Sequence, residues 1–138
     1  MTVSLINTKE LVRHQRDIGE PEKWIGVEFG FGDTAISLQP KMPVGAVPTE
    51  MLLEIDTAWD SATSAAVDIG DAGDPDRYMP AVDLKSAAGT WFRLSTLAGA
   101  SKDGYHYVAN LPILIAITNT GAPTVGKARL YVGYIVPK

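Results

Sequence analysis

Residues 111–138, LPILIAITNTGAPTVGKARLYVGYIVPK, contain the pattern that decides the fold. Apolar residues occupy every second position on both sides of the turn-forming stretch 118–123: Ile113, Ile115 and Ile117 before it, and Ala128, Leu130, Val132, Tyr134 and Val136 after it. A two-residue period is typical of β-strands, and two such runs around a turn containing glycine and proline are typical of a β-hairpin. The stretch therefore predicts two antiparallel strands joined as a hairpin.

The rest of the chain has the same character. Thirteen glycines and nine prolines divide it into pieces too short for most helices. Further strands are predicted at residues 25–31, 51–59, 65–69, 91–95 and 105–109. Turn signals between short strands indicate an all-β fold, an antiparallel β-sandwich or jelly roll of about seven to nine strands. We expect this domain to span residues 23–138, preceded by an N-terminal arm, residues 1–22, in which Thr8–Arg16 is a candidate short helix.

Composition excludes several classes of protein. The chain has 138 residues, no cysteine, 46% hydrophobic and 20% charged residues, which is too apolar for a disordered chain. Its longest apolar stretch, Leu111–Ile117, is far shorter than the roughly 20 residues of a transmembrane helix. The absence of cysteine excludes thiol catalysis, zinc fingers and redox switching. Residues 1–8 lack the features of an export signal, so we expect synthesis in a cytoplasm and no membrane association.

Charge is unevenly distributed along the chain. Residues 50–83 hold nine acidic side chains and a single basic one, Arg77, whereas residues 84–138 hold six basic side chains and a single acidic one, Asp103. An acidic block repels phosphate backbones, because nucleic-acid binding depends on Lys and Arg displacing counterions. The distribution argues against nucleic-acid binding. The block forms either solvated loops that keep the protein soluble or an acidic face for a basic partner.

The C-terminal strands are apolar on both sides. Leu114 and Ala116 alternate with the inward isoleucines, where a sheet with one wet face would have polar residues. Each exposed Leu or Ile forgoes about 1.5–3 kcal/mol, so a second apolar face indicates a cover. The cover is either a partner subunit or another segment of this chain, such as the 33–48 loop. If it is a subunit, the predicted oligomer interface contains Trp91, Leu114, Tyr131 and Ile135.

The residues that carry catalysis are scarce. The two histidines, His14 and His106, have no Ser or Asp partner at motif spacing, and nucleophile-elbow, P-loop and dinucleotide-binding motifs are absent. Four aspartates between Asp68 and Asp76 match no calcium-binding loop, and they favour a turn in which Asp side chains bind backbone N–H groups and one pairs with Arg77. The sequence predicts a protein that is not an enzyme, with no catalytic, metal or cofactor site.

The three tryptophans have two interpretations. Trp24, Trp59 and Trp91 suggest a sugar-binding platform, because aromatic faces stack on carbohydrate. Trp59 follows a predicted core strand, so packing explains it equally well. Trp91 precedes Phe92 in a predicted strand, and one of the two must point away from the core. An exposed tryptophan marks a ligand site or a protein interface.

Several segments together resemble a known class of protein. They are residues 67–78 (VDIGDAGDPDRY), 87–90 (AAGT), the apolar strand at 113–116, 121–124 (GAPT) and 128–132 (ARLYV). In this order they resemble small virion structural proteins of tailed bacteriophages, most closely capsid decoration (cement) proteins. The resemblance covers about residues 67–136.

The resemblance implies a β-rich body that self-associates as a homo-oligomer, a dimer or trimer, and binds the major capsid protein on the outer surface of the virion. Such a protein stabilises the capsid, since it binds the assembled shell and not its free subunits. We expect Arg13 and Arg16 of the arm to contact the lattice, since an extended segment can add to a neighbouring sheet edge. The alternatives are a tail, baseplate or fibre-associated virion protein, and a carbohydrate-binding β-sandwich module.

Overall fold

The computed structural model describes residues 22–97 and 105–137, and every regular element in these ranges is a β-strand. The strands are β1 (Lys23–Gly30), β2 (Ala35–Ser37), β3 (Val47–Thr57), β4 (Ser64–Gly70), β5 (Met79–Asp83), β6 (Trp91–Arg93), β7 (Leu114–Thr120) and β8 (Lys127–Ile135). Within these ranges there is also no helix that is long and apolar enough to cross a membrane.

The strands form two antiparallel four-stranded sheets. Sheet A has the order β1-β8-β3-β6, and sheet B has the order β2-β7-β4-β5. The predicted antiparallel β-sandwich is therefore confirmed, and its eight strands in the described ranges lie within the expected number. The two sheets enclose one hydrophobic core.

The alternating pattern of each central strand determines which side chains enter the core. In β8, Ala128, Leu130 and Val132 are buried, and in the paired strand β3 the residues opposite them, Ile55, Leu53 and Met51, are buried too. Sheet B contributes another set from β4 and β7: Ala65, Val67, Ile69, Ile115 and Ile117. Side chains of this kind stabilise the fold by about 1.5–3 kcal/mol each when fully buried.

The predicted C-terminal hairpin is wrong. The strand β7 pairs with β2 and β4 in sheet B, whereas β8 pairs with β1 and β3 in sheet A, so the connection between them crosses from one sheet to the other. The Asp60 carboxylate holds this connection by accepting hydrogen bonds from the backbone N–H groups of Thr124 and Val125. A two-residue period is the same for strands that pair and for strands that face each other across a core, and the pattern alone does not separate the two arrangements.

Other predicted boundaries also changed. No strand forms at 105–109; instead the backbone of Tyr107 accepts a hydrogen bond from Gly45 N–H and donates one to the carbonyl of Ala46. The predicted strand at 51–59 begins earlier, at Val47, and ends at Thr57. Trp59 follows that strand, and with 2% of its surface exposed it is a core residue, not part of a sugar platform.

Two predictions concern the N-terminus. The candidate helix Thr8–Arg16 lies outside the described residues. Among the described residues, the first strand begins at Lys23. The division into an arm and a sandwich domain stays a prediction.

Candidate functional site

The outer face of sheet A carries a cluster of partly exposed aromatic side chains. Trp24 of β1, Tyr131 of β8 and Trp91 of β6 point away from the core, with Leu52 of β3 between the last two. We call these four residues the aromatic face. Trp24 and Trp91 are 47% and 48% exposed, and two tryptophans exposed to this degree on one face make it a candidate binding surface.

The indole of Trp24 lies flat on the sheet. A Cβ built on Gly133 of β8 would be 2.8, 2.9 and 3.0 Å from Cζ2, Cε2 and Cη2 of Trp24. Three consecutive ring atoms can be almost equally distant only if the ring presents its face to the backbone, since an edge-on ring would place the outer two much farther away. Gly133 therefore allows the close approach that a side chain would block.

Hydrogen bonds fix the orientation of that indole. Trp24 Nε1 donates to Glu22 Oε1 at 3.1 Å, and the other carboxylate oxygen of Glu22 accepts from the Thr49 hydroxyl of the neighbouring region of β3. With one ring face on the backbone and the N–H satisfied, the opposite ring face is free. An aromatic side chain held in this way loses little conformational entropy when a ligand stacks on it.

Trp91 and Tyr131 form a second aromatic pair. Their ring centroids are 6.2 Å apart and their planes differ by 20°. Because β3 lies between β6 and β8, strands two positions apart would be about 9.6 Å apart, so Trp91 leans across β3 toward Tyr131. The Tyr131 ring also contacts the backbone at Gly26, where a Cβ would be 3.1 Å from its Cδ1.

A row of charged side chains borders the aromatic face. Lys127 and Arg129 both contact Glu28, at 3.4 and 3.2 Å, and both also lie within 4.0 Å of the Asp56 carboxylate. All four side chains are about two-fifths to one-half exposed, and pairs of this kind contribute little to stability. Their main effect is to neutralise one another, which leaves this border with almost no net charge.

Two further carboxylates stand among the aromatic rings. Glu50 accepts hydrogen bonds from the Ser95 hydroxyl at 2.8 Å and from the Ser95 and Met51 N–H groups. Burial raises the pKa of Glu50, but these hydrogen bonds outweigh that effect and leave the pKa below its ordinary value. Glu54 lies opposite Trp91 and Arg129 in the register, and among the described residues it has no hydrogen-bond or ion-pair partner. It is therefore available to a ligand.

The outer face of sheet B has a different character. Ala35, Ser37, Pro75, Leu114 and Ala116 line a shallow, largely apolar cleft of about 200 Å³. Leu114 is half-buried and Ala116 is exposed. The 33–48 segment contributes β2, which pairs along the edge of β7 and does not cover its outer face. None of the described residues therefore covers the cleft.

The four residues predicted for an oligomer interface do not share a surface. Trp91, Tyr131 and Ile135 belong to outward positions of sheet A, whereas Leu114 belongs to the outward side of sheet B. These faces lie on opposite sides of the sandwich. A single contact therefore cannot include all four residues. The prediction had assumed that β7 and β8 were neighbouring strands of one sheet. Arg13 and Arg16, the predicted capsid contacts, lie outside the described residues.

A buried polar network joins the aspartate-rich turn to the segment that follows residue 104. Asp71 pairs with Arg77, with Nε and Oδ2 separated by 2.8 Å, and accepts hydrogen bonds from the N–H groups of Gly73 and Asp74 at 3.0 Å. The predicted Asp turn and its pairing with Arg77 are thereby confirmed. Tyr107 donates to Asp71 Oδ2 at 2.9 Å, and its hydroxyl is 2.7 Å from that of Tyr78. We call Asp71, Arg77, Tyr78 and Tyr107 the Asp71 network.

The Asp71 network satisfies its own charges. Burial raises the pKa of Asp71, but the hydrogen bonds from Arg77 and Tyr107 outweigh that effect and hold the pKa below its ordinary value. Burial also raises the pKa values of Tyr78 and Tyr107, so both keep their protons. The Arg77 guanidinium lies 3.7 Å from the centre of the Tyr105 ring. This closed set of partners is typical of a structural clamp, and it leaves no group free to act on a substrate.

Groups that could carry chemistry are sparse in the described ranges. These ranges hold no cluster of three or more His, Asp or Glu side chains able to bind a metal ion. His106 is exposed, and His14 lies outside the described residues. The features that sequence reasoning missed are the close contacts of Trp24 with Gly133 and of Tyr131 with Gly26. Glycines inside alternating strands were the signal, since such glycines often mark close approach of another group.

Comparisons with known proteins identify relatives in structure only. No protein-family model matches the sequence, and no curated protein matches it significantly. A chain described as "Cyanophage Pam1 capsid asymmetric unit" is 24% identical with a TM-score of 0.64, over 84% of this chain and 85% of that chain.

Two more solved structures are similar. One is "Acidic stable capsid structure of Helicobacter pylori bacteriophage KHP30", at 18% identity and a TM-score of 0.65 over 85% of this chain and 89% of that chain. The other is "Capsid of Ralstonia phage GP4", at 16% identity and a TM-score of 0.61 over 88% and 87%. Identities this low show a shared fold.

Proposed function

We propose that this chain, which shares its two-sheet fold with chains of three bacteriophage capsids, is itself a bacteriophage virion structural protein. In this proposal it binds the outer capsid lattice as a homo-oligomer and stabilises the head, as a decoration or cement protein does. The observation that supports the proposal is that the shared fold extends over most of both chains in all three cases. The proposal assigns the protein no catalytic activity.

Stabilisation of a shell follows from selective binding. A protein that binds assembled capsid subunits and not free ones shifts the equilibrium toward the assembled state by mass action. An oligomer contacts several lattice sites at once, so its effective affinity far exceeds that of one contact. Weak individual lattice contacts are therefore sufficient for such a mechanism.

We place self-association at the outer face of sheet B. Leu114 and Pro75 line an apolar cleft there, and β2 at the edge of that sheet has only three residues, Ala35–Ser37. A second copy placed on this face would bury the half-exposed Leu114 side chain. Trp91, Tyr131 and Ile135 point to the opposite side, and their face is bordered by charges, which are depleted in the centres of protein interfaces.

The lattice contact is assigned to the N-terminal arm. Arg13 and Arg16 give this segment basic groups beside an acidic domain, and an extended segment can add a strand to a neighbouring sheet. The experiment is co-sedimentation of the full chain, and of a variant lacking residues 2–20, with capsids that lack the protein. We expect the full chain to pellet with the capsids and to raise their melting temperature. The truncated chain should stay in the supernatant.

The result separates the candidate positions in the virion. If neither form binds capsids and labelled antibody marks the tail of intact particles, the protein is a tail, baseplate or fibre-associated component, and the decoration role is wrong. If the truncated chain binds as well as the full chain, the arm is not the lattice contact. A full-length variant carrying Lys41→Ala, an exposed basic residue of the domain, tests whether removal of a basic group outside the arm also weakens binding.

A further inference from the structure

The exposed tryptophan rings of the aromatic face are oriented so that a sugar ring can stack on them. Trp24 lies face-on over Gly133, so its other face points to solvent, and it is 47% exposed. Trp91, 48% exposed, is stacked near Tyr131. One side of a pyranose ring carries C–H groups with partial positive charge, and these favour the negative face of an aromatic ring.

The rings follow a line across the sheet. Trp24 and Trp91 are on β1 and β6, which are separated by three strand spacings, and their register positions on β8, Gly133 and Arg129, are four residues apart. With strands about 4.8 Å apart and about 3.4 Å per residue, this diagonal is about 20 Å long. Tyr131 lies between its ends. We propose that the aromatic face binds an extended, uncharged oligosaccharide chain along this line.

Polar groups along the line can bind sugar hydroxyls. Glu54 has no partner among the described residues and lies beside Trp91, where its carboxylate can accept hydrogen bonds. Arg93, exposed at the end of β6, supplies N–H donors. Hydrogen bonds to charged groups are stronger than those between neutral groups, and a few of them beside an aromatic surface fix the orientation of a ligand.

The charges of the face select against anionic ligands. The outward positions of sheet A hold the four carboxylates Glu28, Glu50, Glu54 and Asp56 and the three basic groups Arg93, Lys127 and Arg129. Lys127 and Arg129 are already paired with carboxylates. One negative charge is in excess, so the face repels phosphate chains and acidic sugars and suits an uncharged ligand.

The same charges disfavour a protein partner on this face. Covering Glu28, Lys127 and Arg129 with a protein would remove them from water, and the desolvation of such groups can exceed what their pairing returns. The centres of protein interfaces are depleted of charged residues. A sugar chain leaves the border row hydrated, because it covers a narrow strip and carries its own hydroxyl groups and bound water.

The experiment measures binding of defined oligosaccharides to the free full-length protein. Cellohexaose, maltohexaose, mannohexaose and chitohexaose are titrated while tryptophan fluorescence and heat are recorded, with heparin hexasaccharide as the anionic comparison. We expect at least one neutral hexaose to bind saturably and heparin to bind more weakly. Trp24→Ala and Trp91→Ala should each lower the association constant by about tenfold or more, equivalent to about 1.4 kcal/mol.

Controls separate binding from folding and from a protein interface. Phe31 is 44% exposed but lies beyond the end of β1, away from the line, so Phe31→Ala should bind as the parent does. Glu54→Gln keeps the side-chain shape and should weaken binding without changing the melting temperature. The proposal is overturned if no neutral hexaose binds, if heparin binds best, or if the tryptophan variants change the solution mass and not sugar binding. Capsid co-sedimentation does not depend on any of these outcomes.

Discussion

The hydroxyl of Tyr107 donates a hydrogen bond to the carboxylate of Asp71 at 2.9 Å, across a separation of 36 residues. Asp71 directly follows β4, at the start of an aspartate-rich turn. Tyr107 belongs to a segment without regular structure. Tyr107 is also held by two backbone hydrogen bonds, to Gly45 and Ala46. The side chain of Tyr107 therefore fastens an irregular segment to the end of β4 in sheet B, and its backbone fastens the same segment to residues that precede β3 of sheet A.

Tyr107→Phe should destabilise the fold. The substitution removes the donor to Asp71 and leaves that buried carboxylate, and the hydroxyl of Tyr78, with fewer partners. Leaving buried polar groups unsatisfied costs about 1–3 kcal/mol. We expect the free energy of unfolding, measured by urea denaturation, to fall by that amount with an unchanged m-value.

Tyr105→Phe is the matched control. The Tyr105 ring contacts Tyr107 edge-on at 4.9 Å and lies under the Arg77 guanidinium, and both contacts use the ring alone. Among the described residues its hydroxyl has no hydrogen-bond partner. The substitution should change stability by less than about 0.5 kcal/mol. Equal losses for the two variants would contradict the role assigned to the Tyr107 hydroxyl.

Stability should decrease in acid because carboxyl groups that accept hydrogen bonds, Asp60 and Asp71 among them, have lowered pKa values. Hydrogen bonds from Thr124 and Val125 lower the pKa of Asp60 to about 2, and those from Arg77 and Tyr107 hold the pKa of Asp71 below its ordinary value despite burial. Unfolded Asp titrates near pH 4, so the stabilisation is present above about pH 4 and is lost as pH falls through the folded values. The unfolding free energy should fall as the pH decreases from about 4 to about 2, and solvent screening at the exposed Asp60 limits the size of the change.

The variant that tests the pH dependence is Asp60→Asn. It removes one carboxyl group with a lowered pKa, so urea midpoints measured across that window should vary less with pH than those of the parent. Asp33→Asn is the comparison, since its carboxylate also accepts a backbone hydrogen bond in a turn, from Gly30 at 2.8 Å. A parent and an Asp60→Asn variant with the same pH dependence would contradict the assignment.

Gly126→Ala should destabilise the connection between β7 and β8. A Cβ there would lie 2.4 Å from Cδ2 of the buried Trp59, and the residue has φ +154°. Overpacking of a core costs about 1–3 kcal/mol, to which the backbone conformation adds a further penalty. Gly32→Ala, which would meet nothing within 4 Å, should leave the melting temperature nearly unchanged. A small loss at Gly126 would indicate that the Trp59 ring can move.

The fold class could be predicted from the sequence, but the strand pairing could not. Alternation in 25–31, 51–59 and 65–69 correctly located the cores of β1, β3 and β4, because each of these strands buries one side. The same alternation placed β7 beside β8, although they belong to opposite sheets. Inward-facing residues recur at every second position in each strand, whichever strand lies beside it. The pattern therefore does not show which strands pair, because pairing depends on contacts between distant parts of the chain.

The candidate site was predicted in part. The sequence predicted that one residue of the pair Trp91 and Phe92 points away from the core, and in the structure Trp91 is the exposed one. Trp24 precedes the predicted strand at 25–31, and Trp59 ends the one at 51–59. The structure separates the two: Trp59 is 2% exposed and packs on Phe29 with ring centroids 6.0 Å apart, whereas Trp24 is 47% exposed. The link from Asp71 to Tyr107 had no local signal, because its two ends are distant in the chain.

Leu114→Lys should lower the mass of the protein in solution. Leu114 is a half-buried apolar side chain that lines the cleft on the outer face of sheet B, and a charge there would have to be desolvated when a second copy covers it. We expect light scattering to give the mass of a dimer or trimer for the parent at micromolar concentration and of a monomer for the variant, with unchanged circular dichroism. Val108→Lys, at a position 76% exposed and away from the cleft, should keep the parent's mass. A monomeric parent, or a variant as large as the parent, would remove sheet B as the self-association surface.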